Sequence, residues 1–310
     1  MKEILIIGFG GIGSRHCESL LNINNFNISV IEPNLDNFKF NSKSIGLNAT
    51  HNVHHFSSLD SFNKEKVDLI IHATSANIRL VSLKEIKDRI DCDYYLIEKI
   101  VFQNISSFNE FDKIEIENKI SSFVHLPMRY YNSTQSLKNI ININNLIIES
   151  ISIKGYQWGV LCNLIHYLDY LHYLFAVKLD FTASEIHNAR IIDSKRLGGL
   201  KELSGSLSLC NSQNISLYLL DEINEDFEIK IVCSSQKLII INNSGVYYDE
   251  KLITNSFRQY TSELTSIVVN DIFNSKSILP TLKETINYHS IVFELFKNIS
   301  NQNPQNIPIT

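Results

Sequence analysis

The 310-residue sequence predicts an α/β protein with two domains. Three observations lead to this fold class. Apolar strand segments alternate with helical segments over residues 1–121, a glycine-rich turn joins the first strand to the first helix, and consecutive strand segments with short polar turns dominate residues 122–310. We therefore expect a doubly wound parallel sheet in domain 1–121 and an open, mainly antiparallel sheet with helices in domain 122–310.

The first element is a buried strand that leads into a phosphate-binding turn. Residues 4–7 are apolar and mostly β-branched, the turn fits G-x-G-x-x-G, and residues 14–21 are predicted as a helix. Glycine permits a tight turn, a close approach of a pyrophosphate to the main chain, and close packing of helix on strand. The N–H groups at the helix start would face the phosphates. The predicted cofactor-binding residues of the turn are Gly8, Phe9, Gly10, Gly11, Ile12 and Gly13.

An acidic residue at the end of the second strand strengthens this interpretation. Residues 28–31 form the strand, and Glu32 follows 19 positions after Gly13. A carboxylate there accepts hydrogen bonds from ribose hydroxyls and repels a 2′-phosphate, which favours NAD over NADP. Arg15 leaves NADP open, because a nearby cation can serve a phosphate. A glycine turn that binds nothing is the structural alternative. Together, the strand, turn, helix and acid predict a Rossmann domain that binds NAD.

Two later strands of this domain also end in polar residues. Residues 67–73 and 94–97 are predicted strands, and Thr74-Ser75 and Glu98-Lys99 follow them. Helices are expected at 77–90 and 104–119, and a further strand at 122–125. Ligands of doubly wound sheets lie beyond the carboxyl ends of the strands. Thr74, Ser75, Glu98 and Lys99 are therefore predicted to join the glycine turn at the cofactor site.

For the second domain, the sequence predicts a sheet with a few long helices. Its predicted strands are 147–153, 183–189, 205–209, 215–220, 227–233, 238–241 and 246–248. Its predicted helices are 129–141, 160–175, 260–273 and 282–299. Helix 160–175 has an apolar stripe of leucines and, on another face, Asn163, His166 and Tyr170, with Asp169 beside His166. A histidine next to a carboxylate can act as a general acid or base near neutral pH, and a structural histidine is the alternative.

No metal site is predicted. His51, His54 and His55 cluster within residues 33–58, which we expect to be irregular, and no thiol or carboxylate pattern accompanies them. His172 follows His166 by six positions, so a helix turns it about 120° away from that residue. Lys195, Arg196 and Lys201 flank Gly198-Gly199, where a solvated basic turn is preferred to a loop that holds a phosphate or carboxylate.

Composition limits the class of protein. Hydrophobic residues at 44% and charged residues at 20% are typical of a soluble globular enzyme, and no apolar run is long enough for a signal peptide or a membrane span. A net charge of −5 indicates no general affinity for nucleic acid or an anionic membrane. The five cysteines are widely spaced without a C-x-x-C pair. We therefore expect a cytoplasmic protein with reduced thiols.

Taken together, these segments resemble the Gfo/Idh/MocA family of oxidoreductases, which includes glucose-fructose oxidoreductase and inositol dehydrogenase. The resemblance spans nearly the whole chain. It rests on residues 8–16, 73–75, 98–99, 128–130, 158–159, 163–170 and 282–297. The Glu98-Lys99 pair and His166-x-x-Asp169 are its more specific parts. It implies a Rossmann domain followed by an α/β domain with an open, mainly antiparallel sheet, which suits a homo-oligomer.

The resemblance also implies site residues and an activity. Lys99 matches the lysine that contacts the substrate hydroxyl and the nicotinamide side, and His166 matches the acid/base histidine; these are the two expected catalytic residues. The expected substrate-binding residues are Arg129, Tyr130, Trp158, Asn163, Asp169 and Tyr170. The implied reaction is NAD(H)-dependent hydride transfer to or from a hydroxyl or keto carbon of a sugar or sugar derivative.

Three departures from the family pattern are visible. Ile100 replaces a proline after Lys99, Asn163 stands where many members have an aspartate, and the segment between Ile153 and Trp158 is short. Residues 155–159 resemble a subset associated with bacterial surface polysaccharides, which implies a sugar substrate from that chemistry. Two alternatives stay open, a non-catalytic dinucleotide-binding regulator and a redox-neutral enzyme that uses tightly bound NAD.

Overall fold

The computed structural model describes residues 1–23, 25–48, 51–195 and 199–310. The chain forms two compact units. The first comprises Met1–Pro127 and Tyr260–Lys283, and the second comprises Met128–Gln259 and Glu284–Thr310. The predicted division into 1–121 and 122–310 differs from this one, because residues 260–283 return to the first unit.

The described part of the first unit contains a six-stranded parallel sheet in the order β3-β2-β1-β4-β5-β6. Its strands are β1 (Lys2–Ile7), β2 (Phe26–Ile31), β3 (Val53–Phe56), β4 (Leu69–His72), β5 (Tyr94–Ile97) and β6 (Ser121–Val124). Its helices are α1 (Gly11–Leu21), α2 (Leu35–Ser44), α3 (Ala76–Lys87), α4 (Ile105–Asn118) and α7 (Thr261–Phe273). This strand order is that of a Rossmann domain, as the sequence predicts. Residues 4–7 of β1 and 69–71 of β4 are apolar and buried, as is typical of the central strands of a parallel sheet.

Two of these elements lie where an irregular region was predicted. Helix α2 forms in a polar segment because Asn34 caps it, its side chain accepting from the N–H of Asn37 at 2.9 Å. Strand β3 pairs with β2 in parallel at the edge of the sheet. Neither element shows a strong apolar periodicity, so the sequence pattern misses both.

Helix α7 belongs to the first unit because it packs on α1. The N–H of Ser266 donates to Ser19 Oγ at 2.9 Å, and Thr265 Oγ1 lies 2.8 Å from His16 Nδ1. All four side chains are buried. These polar contacts join residues about 250 positions apart, which sequence periodicity cannot reveal.

The described part of the second unit contains an eight-stranded sheet in the order β14-β13-β12-β11-β7-β10-β9-β8. All neighbouring pairs are antiparallel except β7 and β10. Its strands are β7 (Ile148–Gly155), β8 (Thr182–Asp193), β9 (Lys201–Cys210), β10 (Ser216–Asp221), β11 (Glu228–Cys233), β12 (Lys237–Asn242), β13 (Gly245–Tyr248) and β14 (Lys251–Thr254). The mainly antiparallel sheet is confirmed, and β14 is an additional edge strand.

The described part of the second unit also contains helices α5 (Asn132–Asn144), α6 (Val160–Phe175) and α8 (Leu282–Ser300). Short 3₁₀ helices lie at Leu59–Ser61, Pro127–Tyr130 and Ser234–Gln236. The predicted bounds of helix 160–175 are confirmed. Among the described helices, none combines the length and the apolar character that crossing a bilayer requires.

Candidate functional site

The glycine turn of the first unit has the geometry that its sequence predicts. Gly8 has a φ of +86°, a conformation that side-chain-bearing residues rarely adopt. A Cβ on Gly13 would lie 2.0 Å from the carbonyl oxygen of Gly8, so only glycine permits this approach of α1 to β1. A Cβ on Gly10 would meet open space. Gly10 therefore leaves the start of α1 accessible, whereas Gly13 and Gly8 are needed for the turn itself.

A cavity of about 800 Å³ lies at the carboxyl ends of β1, β2, β3 and β4, within the first unit. Five predicted cofactor-binding residues line it: Gly8, Gly10, Glu32, Thr74 and Ser75. Its wall also contains Ser57 and Ser58, which follow β3 and were not predicted. The residue after each strand thus contributes to one crevice, as expected for the ligand site of a doubly wound sheet.

Glu32 connects the glycine turn to the second strand. Its Oε2 accepts from the N–H of Phe9 at 2.9 Å, and its Oε1 accepts from the N–H of Asn34 at 3.0 Å. The residue is only 8% exposed, yet it borders the cavity. Each carboxylate oxygen retains a second acceptor site. Glu32 can therefore hold the turn in place and accept a ligand hydroxyl at the same time.

The remaining turn residues occupy different surroundings. Phe9 is fully buried and packs against the ring of Phe38, at 5.0 Å between centroids. Gly11 begins α1, and Ile12 in its first turn is 47% exposed. The main-chain N–H of Phe9 is committed to Glu32. The role of Phe9 in this structure is thus to anchor the turn.

At the end of β5, Glu98 is held by two histidines from other elements. His125 Nδ1 donates to Glu98 Oε1 at 2.6 Å, and His16 Nε2 donates to the same oxygen at 3.0 Å. The two imidazole rings are 4.6 Å apart, and all three side chains are buried. Burial opposes the charge of Glu98, but the two imidazoles outweigh it and hold the pKa of this carboxyl well below its usual range.

This cluster gives the Glu98 carboxylate two partners within the first unit. The side chain was predicted to bind cofactor, whereas it does not line the cavity and its Oε1 is occupied by two imidazoles. The three side chains offer atoms within 4.8 Å of one another, the spacing of a possible metal site. Their N–O distances of 2.6 and 3.0 Å are those of hydrogen bonds. Glu98 is therefore an anchor for the segment that carries Lys99.

Lys99 follows Glu98 in the first unit and is half-buried. The peptide bond between Lys99 and Ile100 is cis, and Ile100 is fully buried where related sequences are expected to have proline. His125, which the sequence reasoning missed, directly follows β6. Its place directly after a strand is the feature of the sequence that could have identified it as a site residue.

In the second unit, helix α6 carries three of the six predicted substrate-binding residues, Asn163, Asp169 and Tyr170. The side-chain amide of Asn163 donates to the carbonyl oxygen of Trp158 at 2.6 Å, and the indole N–H of Trp158 donates to the carbonyl of Leu220 at 3.0 Å. His166 is half-buried, one turn after Asn163. Trp158 and Asn163 line a pocket of about 200 Å³ together with Glu202 and Asp221.

Glu202 of β9 caps α6. Its Oε2 accepts from the N–H of Leu161 at 2.9 Å and its Oε1 from the N–H of Cys162 at 3.3 Å. The N-cap position is Gly159, which has no side chain of its own, so a carboxylate from the sheet replaces the local cap. The sequence reasoning did not single out Glu202.

Arg129, Asp169 and Tyr170 occupy the interior of the second unit. Arg129 makes a bidentate pair with Asp169, Nη2 donating to Oδ1 at 2.6 Å and Nε donating to Oδ2 at 3.1 Å. Asp169 is 0% exposed, and Tyr170 is 1% exposed. Burial raises the pKa of the Tyr170 hydroxyl. Packing and the ion pair with Arg129 thus hold these two residues of α6, and their substrate contacts stay a prediction.

The remaining predicted residues are on the surface or outside the described part. Tyr130, the last residue of a 3₁₀ helix, is half-buried. In the basic segment, Lys195 is exposed beside the 200 Å³ pocket and Lys201 pairs with Asp193 at 2.6 Å. Arg196 and Gly198 lie outside the described residues.

Comparison with known proteins agrees with this architecture. No protein-family model matches the sequence, and no curated protein is similar enough in sequence to count as a relative. Solved structures do match. Myo-inositol 2-dehydrogenase from Lactobacillus plantarum is 14% identical, with 97% of each chain covered and a TM-score of 0.67.

Two further structures illustrate the range of functions on this fold. The WlbA dehydrogenase from Bordetella pertussis, in complex with NADH and UDP-GlcNAcA, is 14% identical; 96% of this chain and 94% of that chain are covered, with a TM-score of 0.68. A super-repressor mutant of Gal80p from Saccharomyces cerevisiae is 15% identical; 99% of this chain and 98% of that chain are covered, with a TM-score of 0.73. The fold is that of the Gfo/Idh/MocA oxidoreductases, which confirms the resemblance at the level of the fold.

Proposed function

We propose that this protein is an NAD(H)-dependent oxidoreductase that acts on a hydroxyl or keto carbon of a sugar or sugar derivative. The observation that carries this proposal is the cavity at the ends of β1–β4, bounded by the glycine turn and Glu32. Its position and its lining fit a dinucleotide, whose pyrophosphate would approach Gly10 and whose adenosine ribose would approach Glu32. The complexes of neighbouring structures with NAD⁺ and NADH support the same cofactor.

Cofactor binding is the first test of this proposal. NADH should bind more tightly than NADPH, because the Glu32 carboxylate accepts ribose hydroxyls and repels a 2′-phosphate. Glu32→Gln should narrow this difference in fluorescence titrations. Glu85→Gln is the matched control, since Glu85 lines the same cavity but is exposed on α3. Tighter NADPH binding by the unmodified protein would contradict the proposed preference.

In the proposed reaction, two side chains act on the substrate hydroxyl. NAD, when bound, would accept or supply the hydride at nicotinamide C4. His166 takes the hydroxyl proton in oxidation and returns it in reduction. The Lys99 ammonium stabilises negative charge on the substrate oxygen. Asn163 cannot titrate, so its contribution is limited to hydrogen bonding.

The proposed substrate class is a sugar or sugar derivative of bacterial surface polysaccharides. The inositol dehydrogenase and the WlbA complex with UDP-GlcNAcA support a polyhydroxylated ligand. In the second unit, Trp158, Asn163, Glu202 and Asp221 provide an aromatic surface and hydrogen-bonding groups suited to such a ligand. A screen of free and nucleotide-activated sugars, followed by NADH absorbance, tests this class.

A dinucleotide-binding regulator is the alternative that a specific observation favours. Gal80p has a similar fold, and Gal80p from Kluyveromyces lactis is described as a transcriptional regulator. A redox-neutral enzyme with tightly held NAD is a second alternative. Turnover with net change of NADH absorbance supports the main proposal. Binding of NAD without turnover across the screen supports the regulator, and turnover without net redox change supports the redox-neutral enzyme.

We also propose a cytoplasmic homo-oligomer. One face of the eight-stranded sheet carries a partly exposed row across β13, β12, β11, β7 and β10: Tyr247, Ile240, Lys230, Ser152 and Tyr218. The mixture of aromatic, aliphatic and polar groups suits a contact between copies. A solution mass above 35.6 kDa by light scattering is expected.

All five cysteines are free thiols, which agrees with a reducing compartment.

A further inference from the structure

The first unit contains an arginine whose charge is buried among main-chain carbonyls. Arg79 lies on α3 and is 1% exposed. Its Nη1 donates to the carbonyl oxygens of Glu98 at 2.6 Å and Val101 at 2.9 Å, and also to that of Ile100. Its Nη2 donates to the carbonyl oxygen of Thr74. One guanidinium thus joins the segment after β4 to the segment after β5.

These two segments carry residues of the proposed site. Thr74 lines the dinucleotide cavity, and Lys99 lies between Glu98 and Ile100, two of the residues whose carbonyls bind Arg79. The fork geometry explains why an arginine stands here. A planar guanidinium directs several donors at fixed angles, whereas a lysine offers a compact charge on a flexible stem.

Burial removes the Arg79 guanidinium from water, and the charge of Glu98 partly offsets the effect of this desolvation on its pKa. Desolvation lowers the pKa of Arg79 to about 10, while the charge of Glu98 opposes that effect. The Glu98 side chain is in turn anchored by His16 and His125. Glu98 is therefore held at both ends, its carboxylate by two imidazoles and its carbonyl oxygen by Arg79. The residue that immediately precedes Lys99 has little freedom to move.

We propose that Arg79 is a positioning residue that fixes the main chain on both sides of Lys99 and so sets the place of its ammonium group. This inference rests on the proposed function of Lys99. Arg79 does not line the cavity, and it acts through the main chain of residues 98–101. A displacement of about 1 Å of a reacting group can lower turnover about 100-fold, so a small shift of this segment matters.

The test compares Arg79→Lys and Arg79→Gln with Leu83→Ala. Leu83 is a fully buried residue of the same helix that does not line the cavity, so its truncation controls for a general loss of stability in α3. The first measurement needs no substrate. Lysines are ¹³C-methylated, the Lys99 resonance is identified by its absence in Lys99→Arg, and each variant is recorded with and without NADH. Thermal unfolding confirms that each variant is folded.

The Lys99 resonance should shift or broaden in both Arg79 variants and stay in place in Leu83→Ala. With a substrate in hand, kcat should fall about 10- to 100-fold in Arg79→Lys while the dissociation constant for NADH changes less than about 3-fold. An unchanged Lys99 resonance in the folded Arg79 variants would overturn the positioning role. If the unmodified protein shows no turnover but the resonance shifts, the proposed function fails and the positioning of Lys99 stands.

Discussion

At the scale of single residues, two buried histidines couple the stability of the first unit to pH. His16 and His72 are both 0% exposed. Burial is the main cause that lowers the pKa of each imidazole, and the Arg79 guanidinium lowers that of His72 further. His72 also lies 3.0 Å from Ser82 Oγ and 3.2 Å from Thr74 Oγ1. The folded protein therefore holds both rings neutral at a pH at which an unfolded chain protonates them.

We expect His16 and His72 to lower the free energy of unfolding as the pH drops from 7 to 5.5, against a smaller opposing contribution from Glu115, whose pKa burial raises to about 7. Below about pH 6.5 the unfolded chain binds protons at His16 and His72, and the folded chain does not. Each such histidine contributes up to about 1.4 kcal/mol per pH unit. Urea unfolding at several pH values measures how the free energy of unfolding changes per pH unit. This change should be smaller for His72→Asn than for the unmodified protein.

The control for this prediction is His54→Asn, which removes an exposed histidine from β3. In this variant the free energy of unfolding should change with pH as it does in the unmodified protein. The pKa of Glu98 is lowered as well, but this carboxyl acts on stability only at more acidic pH, outside the measured range. If His72→Asn leaves the change of unfolding free energy with pH unaltered, His72 does not contribute to this pH dependence.

A second residue-scale prediction concerns Lys99 and His166. His166→Ala should lower kcat about 10²- to 10⁴-fold because a general acid or base is removed, with NADH affinity nearly unchanged. Lys99→Ala should lower kcat by a similar factor because it removes a charge that acts mainly on the transition state. The double variant should lose less than the product of the two factors, since the proposed reaction has both groups act on one hydroxyl.

His172→Asn is the control for this series. His172 lies on the same helix, and its Nδ1 donates to the carbonyl oxygen of Val177 at 2.8 Å, a contact that the asparagine amide can preserve. Its turnover should stay within about 3-fold of the unmodified enzyme. Near-normal turnover of His166→Ala would return His166 to a structural role.

At the scale of elements, α6 depends on a cap supplied by the sheet. Glu202→Ala should lower the free energy of unfolding by about 1–2 kcal/mol, because two N–H groups and the positive end of the helix dipole lose a carboxylate. Chemical denaturation measures this loss. Glu222→Ala, at an exposed glutamate beyond β10, should change stability by less than about 0.5 kcal/mol. Equal effects of the two substitutions would contradict the capping role.

Elements with strong apolar patterns could be predicted from the sequence, and weakly patterned ones could not. Strands β1 and β4 and helix α6 are apolar runs or amphipathic segments, so their positions follow from periodicity. Helix α2 depends on a side-chain cap, and the exposed strand β14 depends on pairing with β13. Such elements form through specific contacts, which leave little signal in a single sequence.

The candidate site divides in the same way. The glycine turn and Glu32 were predictable because their chemistry lies within a short span of chain. Arg79 and His125 were not predictable, since their contacts with Glu98 join residues 19 and 27 positions apart, and a sequence does not distinguish a buried arginine from an exposed one. Strand-end position and helical spacing singled out Lys99 and His166 in the sequence, but their specific catalytic roles were assigned through the family resemblance.

At the scale of the whole molecule, the first unit is built from two separate stretches of chain. Helix α7 contributes Thr265 and Ser266 to the interior against α1. A fragment of residues 1–127 should therefore lack a cooperative unfolding transition, because His16 and Ser19 would lose their buried partners. Circular dichroism during thermal unfolding measures this. The full chain is the control, and a fragment that unfolds cooperatively at the same temperature would disprove the need for α7.

The return of the chain at Tyr260 also has a consequence for synthesis. When residue 127 leaves the ribosome, the parallel sheet has all its strands, but the partner of α1 is still untranslated. At about 5–20 residues per second, residues 128–283 take on the order of 10–30 s to follow. During that interval the nascent domain exposes the surface that α7 later covers, so chaperones have a defined period and a defined face on which to act.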